Sequence, residues 1–89
     1  MANYKIEWKK SAVRELKKLD TTIIQRILDE ITNLSINPFP SGIKKITGTK
    51  DTYRQRVGNY RIIYEIIGKR LVLLIIHVGH RKDIYKKPL

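Results

Sequence analysis

The spacing of apolar residues changes along this chain, and each change marks an element. Over residues 2–8 apolar and polar positions alternate, with Tyr4, Ile6 and Trp8 on one side. A period of two is the mark of a short strand. From Lys9 to Leu19 the period becomes helical: Ala12, Val13, Leu16 and Leu19 form one stripe, and Lys9, Lys10, Arg14, Lys17 and Lys18 lie off it. Asp20, Thr21 and Thr22 then supply N-cap candidates for a second helix. This helix runs to about Leu34, with Ile24, Ile27, Leu28, Ile31 and Leu34 on one face. Asn37-Pro38-Phe39-Pro40-Ser41-Gly42 ends it. Two amphipathic helices so closely joined predict an antiparallel helical hairpin.

Residues 43–51 form a basic connector with no clear period. Strand-like segments follow over Thr52–Val57, Tyr60–Ile67 and Arg70–Val78. Gly58-Asn59 and Gly68-Lys69 sit between them and read as two-residue hairpin turns. The rest, Gly79 to Leu89, is a basic tail. The order β-α-α-β-β-β predicts an α+β fold. Its N-terminal helical hairpin packs on one face of a mostly antiparallel sheet. Residues 1–89 read as a single domain, without repeats, low-complexity stretches or an interdomain linker.

Composition adds a partner class to this picture. Nineteen Lys and Arg against eight Asp and Glu give a net charge of +11 on 89 residues. Such a charge repels itself in the compact state, and a polyanionic partner is the usual reason to tolerate it. The charge is uneven. Residues 1–48 carry nine basic and five acidic side chains, or +4; residues 49–89 carry ten and three, or +7. A chain this short buries only about 60% of its unfolded surface, so a stabilising partner is expected. The absence of cysteine excludes disulfides and thiolate metal sites and suits a reducing compartment. The longest apolar run, Leu71–Ile76, is far short of the ~20 residues that span a bilayer. No secretory h-region opens the chain, and a cytoplasmic location without membrane association is expected.

Register sharpens the charge into a patch. With Gly58-Asn59 as the loop, Val57 faces Tyr60, Arg56 faces Arg61 and Arg54 faces Ile63. Alternation then places Arg54, Arg56 and Arg61 on one face, and Tyr53, Val57, Tyr60, Ile62 and Tyr64 on the other. The aromatic face is the floor for the helices. Like charges opposed across strands destabilise a sheet, and an anionic ligand reverses that cost. Arginine also suits bidentate phosphate contact. The bland alternative is a solvated face on which Glu65 pairs with Arg61. His77, inside an apolar strand, is assigned to the core on the helix-packed face. The tail, with His80, Arg81, Lys82 and Tyr85, is placed to fold back over the strand ends.

The segment from Tyr53 to Tyr64, YRQRVGNYRIIY, resembles the central hairpin of RelE-type toxins, in which a basic-x-basic pair precedes a Tyr-Arg-aliphatic-aliphatic-Tyr strand. Val78 to Tyr85, VGHRKDIY, is similar to that family's C-terminal pattern of Gly, one residue, Arg and a nearby Tyr. Ala12–Asp20 resembles its first helix. The likeness covers nearly the whole chain in order, and the C-terminal pattern is its most specific part. It implies a fold like that of small microbial ribonucleases, and a type II toxin that enters the ribosomal A site and cuts mRNA. A RelB-type antitoxin, mRNA and ribosomal RNA are the implied partners.

Carried over by position, the catalytic residues are Arg54, Arg56, Arg61, Arg81 and Tyr85. His80, Lys82, Lys44, Lys45 and Lys50 are expected to bind RNA, with His80 also a candidate acid or base. The best-known members carry lysines where this chain has Arg54 and Arg56. Arginine does not readily give up its proton, so this pair is expected to act by charge. The implied chemistry uses the RNA's own 2′-OH as nucleophile, with neither metal nor cofactor. Other readings are a ParE-type toxin that inhibits DNA gyrase and a non-catalytic RNA-binding module. ParE-type toxins share the fold but generally lack the basic sheet face and the tail Arg–Tyr pair.

Overall fold

A computed structural model of the chain describes residues 3–84. The elements are β1 (Lys5–Trp8), α1 (Lys10–Lys17), α2 (Thr21–Ile36), β2 (Lys44–Lys45), β3 (Thr52–Val57), β4 (Tyr60–Ile67), β5 (Val72–His80) and α3 (Arg81–Ile84). They form an α+β fold on a five-stranded sheet of order β1-β5-β4-β3-β2. Among the described residues only the β1–β5 pair is parallel; the others are antiparallel. The helices, the mostly antiparallel sheet, β3 and β4 match the sequence reading.

The strand order explains the longest apolar run in the chain. β5 lies inside the sheet, between β1 and β4. A strand covered on both faces reads as continuous apolar sequence rather than as alternation. Leu73, Ile75 and Val78 of β5 join Ile62, Tyr64 and Ile66 of β4 beneath Ala12 of α1 and Ile27, Ile31 and Leu34 of α2. This is the main core. Trp8, Leu16, Leu19, Tyr53, Val57 and Tyr60 pack around it. Ile63, Ile76 and Ile84 form a second, smaller cluster, with Ile46 and Leu74 at its margin.

Several expectations are corrected. The basic connector contains a strand: β2 pairs Lys44 with Arg54 and Lys45 with Tyr53. Two lysines carry no hydrophobic period, and a short lysine-bearing strand is a common way to blunt a sheet edge. Gly68-Lys69 is not a two-residue turn. Residues 68–70 form a 3-10 turn and Leu71 takes a left-handed conformation (φ 52°), so β5 starts at Val72, two residues later than expected. β5 also runs on through Gly79 to His80, which the sequence reading gave to the tail. Ile63 pairs with His77 and Tyr64 with Ile75, leaving Ile76 as the extra residue of a β-bulge. The tail then forms the single helical turn α3, with Ile84 buried in the second cluster. So the sheet face away from α1 and α2 is partly covered. Among the described residues no helix is long and apolar enough to cross a membrane.

Candidate functional site

The β3–β4 turn organises the basic face. Gly58 has φ +59°. It is the first central residue of the two-residue loop, where a type II′ turn needs a positive φ. The turn sets the expected register: Val57 opposite Tyr60, Arg56 opposite Arg61, Arg54 opposite Ile63. Gln55, on the other face, donates to Glu30 of α2 through Nε2 at 2.7 Å. Arg54, Arg56 and Arg61 are therefore on the side away from α2, as alternation predicts.

The opposed arginines share an acceptor. Arg56 Nε donates to the Gly58 carbonyl at 3.4 Å, and Arg61 Nη1 donates to the same oxygen at 3.3 Å and to the Tyr60 carbonyl at 3.0 Å. One backbone dipole thus offsets part of the repulsion and orients both guanidinium groups. Among the described residues Arg61 makes no ion pair with Glu65. The Arg61–Glu65 pair of the bland reading therefore does not form.

Arg54, Arg56 and Arg61 line a hollow of about 140 Å³ together with Lys44 and Gly42. Lys44 arrives through its pairing with Arg54. Gly42 (φ +90°) lies in the loop between α2 and β2. Among the described residues every charged side chain lining the hollow is cationic, which suits an oxyanion such as phosphate. A larger hollow, of about 510 Å³, includes Glu15, Lys18, Tyr60, His80 and Asp83 in its lining. Its two carboxylates make it the poorer place for a polyanion.

The other expected site residues distribute unevenly. Arg81 is exposed, and its N–H donates to the Asn59 carbonyl at 2.9 Å, tying the start of α3 to the same turn. Lys82 is exposed on that helical turn. Lys45 pairs with Tyr53, so alternation puts it on the helix side of the sheet, away from the hollow. Lys50 is exposed in the loop before β3 and does not line the hollow. His80 is also displaced from the arginines. It pairs with Tyr60, on the helix side, and the two rings meet edge to face at 5.4 Å. Its Nδ1 accepts the Lys82 N–H at 3.2 Å, so it caps the helical turn. Tyr85 lies outside the described residues.

His77 is buried, as expected, and its partner is one that sequence reasoning missed. Its Nδ1 lies 3.2 Å from both carboxylate oxygens of Glu15, and the Val78 N–H donates to Glu15 Oε1 at 3.2 Å. The Glu15 carboxylate satisfies β5 beyond the point where β1 ends. Sequence reasoning also missed Gly58 as an acceptor for arginine; its carbonyl leaves no mark in the sequence beyond the turn itself. Among the described residues no cluster of three His, Cys, Asp or Glu side chains is placed to hold a metal ion.

Comparison with known proteins agrees with the fold. Residues 6–85 match the family model described as the ParE toxin of the type II toxin–antitoxin system, parDE. Toxin RelE3 of Methanocaldococcus jannaschii is 40% identical over 85 residues, covering 91% of this chain and 94% of that protein. The mRNA interferase toxin RelE of Escherichia coli K12 is 26% identical over 90 residues, covering 97% and 94%. The archaeal RelE–RelB complex from Pyrococcus horikoshii contains a chain that superposes with a TM-score of 0.78 at 31% identity, covering 91% of this chain and 97% of that one. The chain therefore belongs to the RelE/ParE superfamily of type II toxin–antitoxin toxins, on its RelE-type side.

Proposed function

We propose that this toxin is a ribosome-dependent endoribonuclease that cuts mRNA in the A site and so stops translation in the cytoplasm. The cationic hollow lined by Lys44, Arg54, Arg56 and Arg61 carries the reading. The name of the E. coli relative, an mRNA interferase, supports it. In the reaction the 2′-oxygen attacks the adjacent phosphorus and the bond from phosphorus to the 5′-oxygen breaks. A cyclic phosphate and a free 5′-hydroxyl result. One proton leaves the 2′-OH and one reaches the leaving oxygen. Negative charge builds on the phosphoryl oxygens, where Arg56 and Arg61, already oriented by the Gly58 carbonyl, stabilise it. Preorganised donors of this kind are usually the largest single contribution to catalysis. Arg81 steadies the leaving side and Tyr85 takes the 2′-OH proton. That role requires guanidinium groups close enough to the phenol to favour its ionised form.

A RelB-type antitoxin is the proposed partner, on the strength of the RelE–RelB complex that this fold matches. Such a chain would be acidic and would fold on binding.

The test is cleavage of mRNA on programmed ribosomes by the purified toxin. Wild type should cut, and Arg61→Ala should cut about 10²–10³-fold more slowly, the usual effect of losing one such donor. Arg81→Ala combined with Tyr85→Ala should abolish cutting while the fold is kept. Full cleavage by these variants would refute the assignment. The ParE description of the matching family model favours a second reading, inhibition of DNA gyrase. A supercoiling assay run in parallel separates the two.

A further inference from the structure

Arg26 is the sole basic residue of α2. Asp29 and Glu30 follow it by three and four residues, the spacings at which a helical arginine finds an ion-pair partner. Neither is used. Gln25 Nε2 donates to Asp29 at 2.9 Å, and Gln55 Nε2 donates to Glu30 at 2.7 Å. Among the described residues Arg26 makes no ion pair. Its guanidinium instead lies against the β3–β4 turn, with Nη2 3.3 Å and Nη1 3.6 Å from where a Gly58 β-carbon would stand.

Arg56 and Arg61 reach the carbonyl of that same glycine from the far side of the sheet. Guanidinium groups therefore flank the bare, exposed Gly58 on both sides. We propose that Arg26 is a further RNA contact: it binds a backbone phosphate on the helix side of the Gly58 turn, adjoining the phosphate held by Arg56 and Arg61. A strand leaving the cationic hollow would cross the turn over Gly58, which has no side chain, and meet Arg26. This rests on the reading of the arginine face as an RNA site. The phosphate belongs either to the substrate strand or to ribosomal RNA.

The test compares full-length wild type, Arg26→Ala and Arg26→Lys. Each is titrated with a short single-stranded RNA and with ribosomes lacking mRNA, across a range of salt. Losing one phosphate contact should lower the slope of log K against log salt by about 0.7 on single-stranded RNA. Arg26→Ala should show that loss and Arg26→Lys should recover most of it. A loss on the oligonucleotide identifies the substrate strand as the source; a loss on ribosomes alone identifies ribosomal RNA. In the cleavage assay the defect should enter through KM, whereas that of Arg61→Ala enters through kcat. Equal slopes for wild type and Arg26→Ala on both probes would overturn the proposal, even if the variant melts at a lower temperature, since a merely structural contact predicts only that. Should wild type cleave no mRNA, the cleavage reading falls, and the slopes still decide the role of Arg26.

Discussion

Tyr64 shows how a residue outside the hollow helps to shape it. It is fully buried, and its hydroxyl donates to the Pro38 carbonyl at 2.9 Å. Its ring stacks on Tyr53 at 6.0 Å, and Tyr53 meets Phe39 edge to face at 5.6 Å. These contacts pin the loop that leaves α2 and carries Gly42 to the arginines. Tyr64→Phe should therefore cost about 1 kcal/mol at neutral pH, because the Pro38 carbonyl loses its donor. The phenol also makes this cost depend on pH. Burial above all, then the nearby Tyr53 and Glu30, holds its pKa well above the usual phenol value. A group whose pKa rises on folding contributes stability that is complete below its unfolded pKa, about 10, and is lost as pH climbs towards the folded value. In urea titrations at a series of pH values, the advantage of wild type over Tyr64→Phe should shrink above about pH 10. An advantage that stays constant there would disprove this account of the phenol.

The connection between β4 and β5 carries a cost that the β3–β4 turn avoids. Leu71 sits at φ 52°, ψ 47°, where a β-carbon crowds the backbone by about 1–2 kcal/mol. Leu71→Gly removes that crowding, and Leu71→Ala keeps it while losing the same partly exposed side chain. Calorimetry should rank the glycine variant above the alanine variant by about 1 kcal/mol, or roughly 4–8 °C in a domain of this size. The reverse order would mean that the left-handed conformation is not strained. The two turns also show what the sequence can reveal. Gly58-Asn59 was legible because its glycine supplies the conformation that a tight hairpin needs, and the whole arginine register follows from it. Gly68-Lys69 looked equivalent, yet the residue that turns the chain is a leucine, which carries no such signal. His80 was misplaced for a related reason. Gly79 reads as a strand end, but it continues the strand opposite Arg61 and puts His80 beside Tyr60. Lys44 is expected from its charge to bind RNA, yet its place in the hollow depends on an edge pairing too short to leave a period.

For the whole molecule the dominant fact is a net charge of +11 on 89 residues. Self-repulsion of that kind opposes the compact state. Salt can act on it in two directions: it weakens attractive ion pairs and relieves repulsion. Among the described residues the close contact of an acid with a basic side chain is the one between Glu15 and His77, a buried hydrogen bond that salt reaches poorly. The exposed cations Arg56, Arg81 and Lys44 are far more open to screening. The Debye length is about 30 Å at 0.01 M and about 10 Å at 0.1 M, so this range passes from a length comparable to the molecule's 32 × 28 × 26 Å extents to one well short of them. Relief of repulsion should win. The melting temperature of the isolated toxin should rise as sodium chloride goes from about 0.01 to 0.15 M. Arg56→Gln should melt higher than wild type at low salt, with the gap closing as salt is added. RNA affinity should fall over the same range, because each phosphate contact releases counterions. One change of solvent thus drives stability and binding in opposite directions, as expected if the charge that strains the fold is the charge that holds RNA. If stability and affinity both fell with salt, attractive surface pairs would have to dominate the fold, and the arginine face would no longer account for the charge.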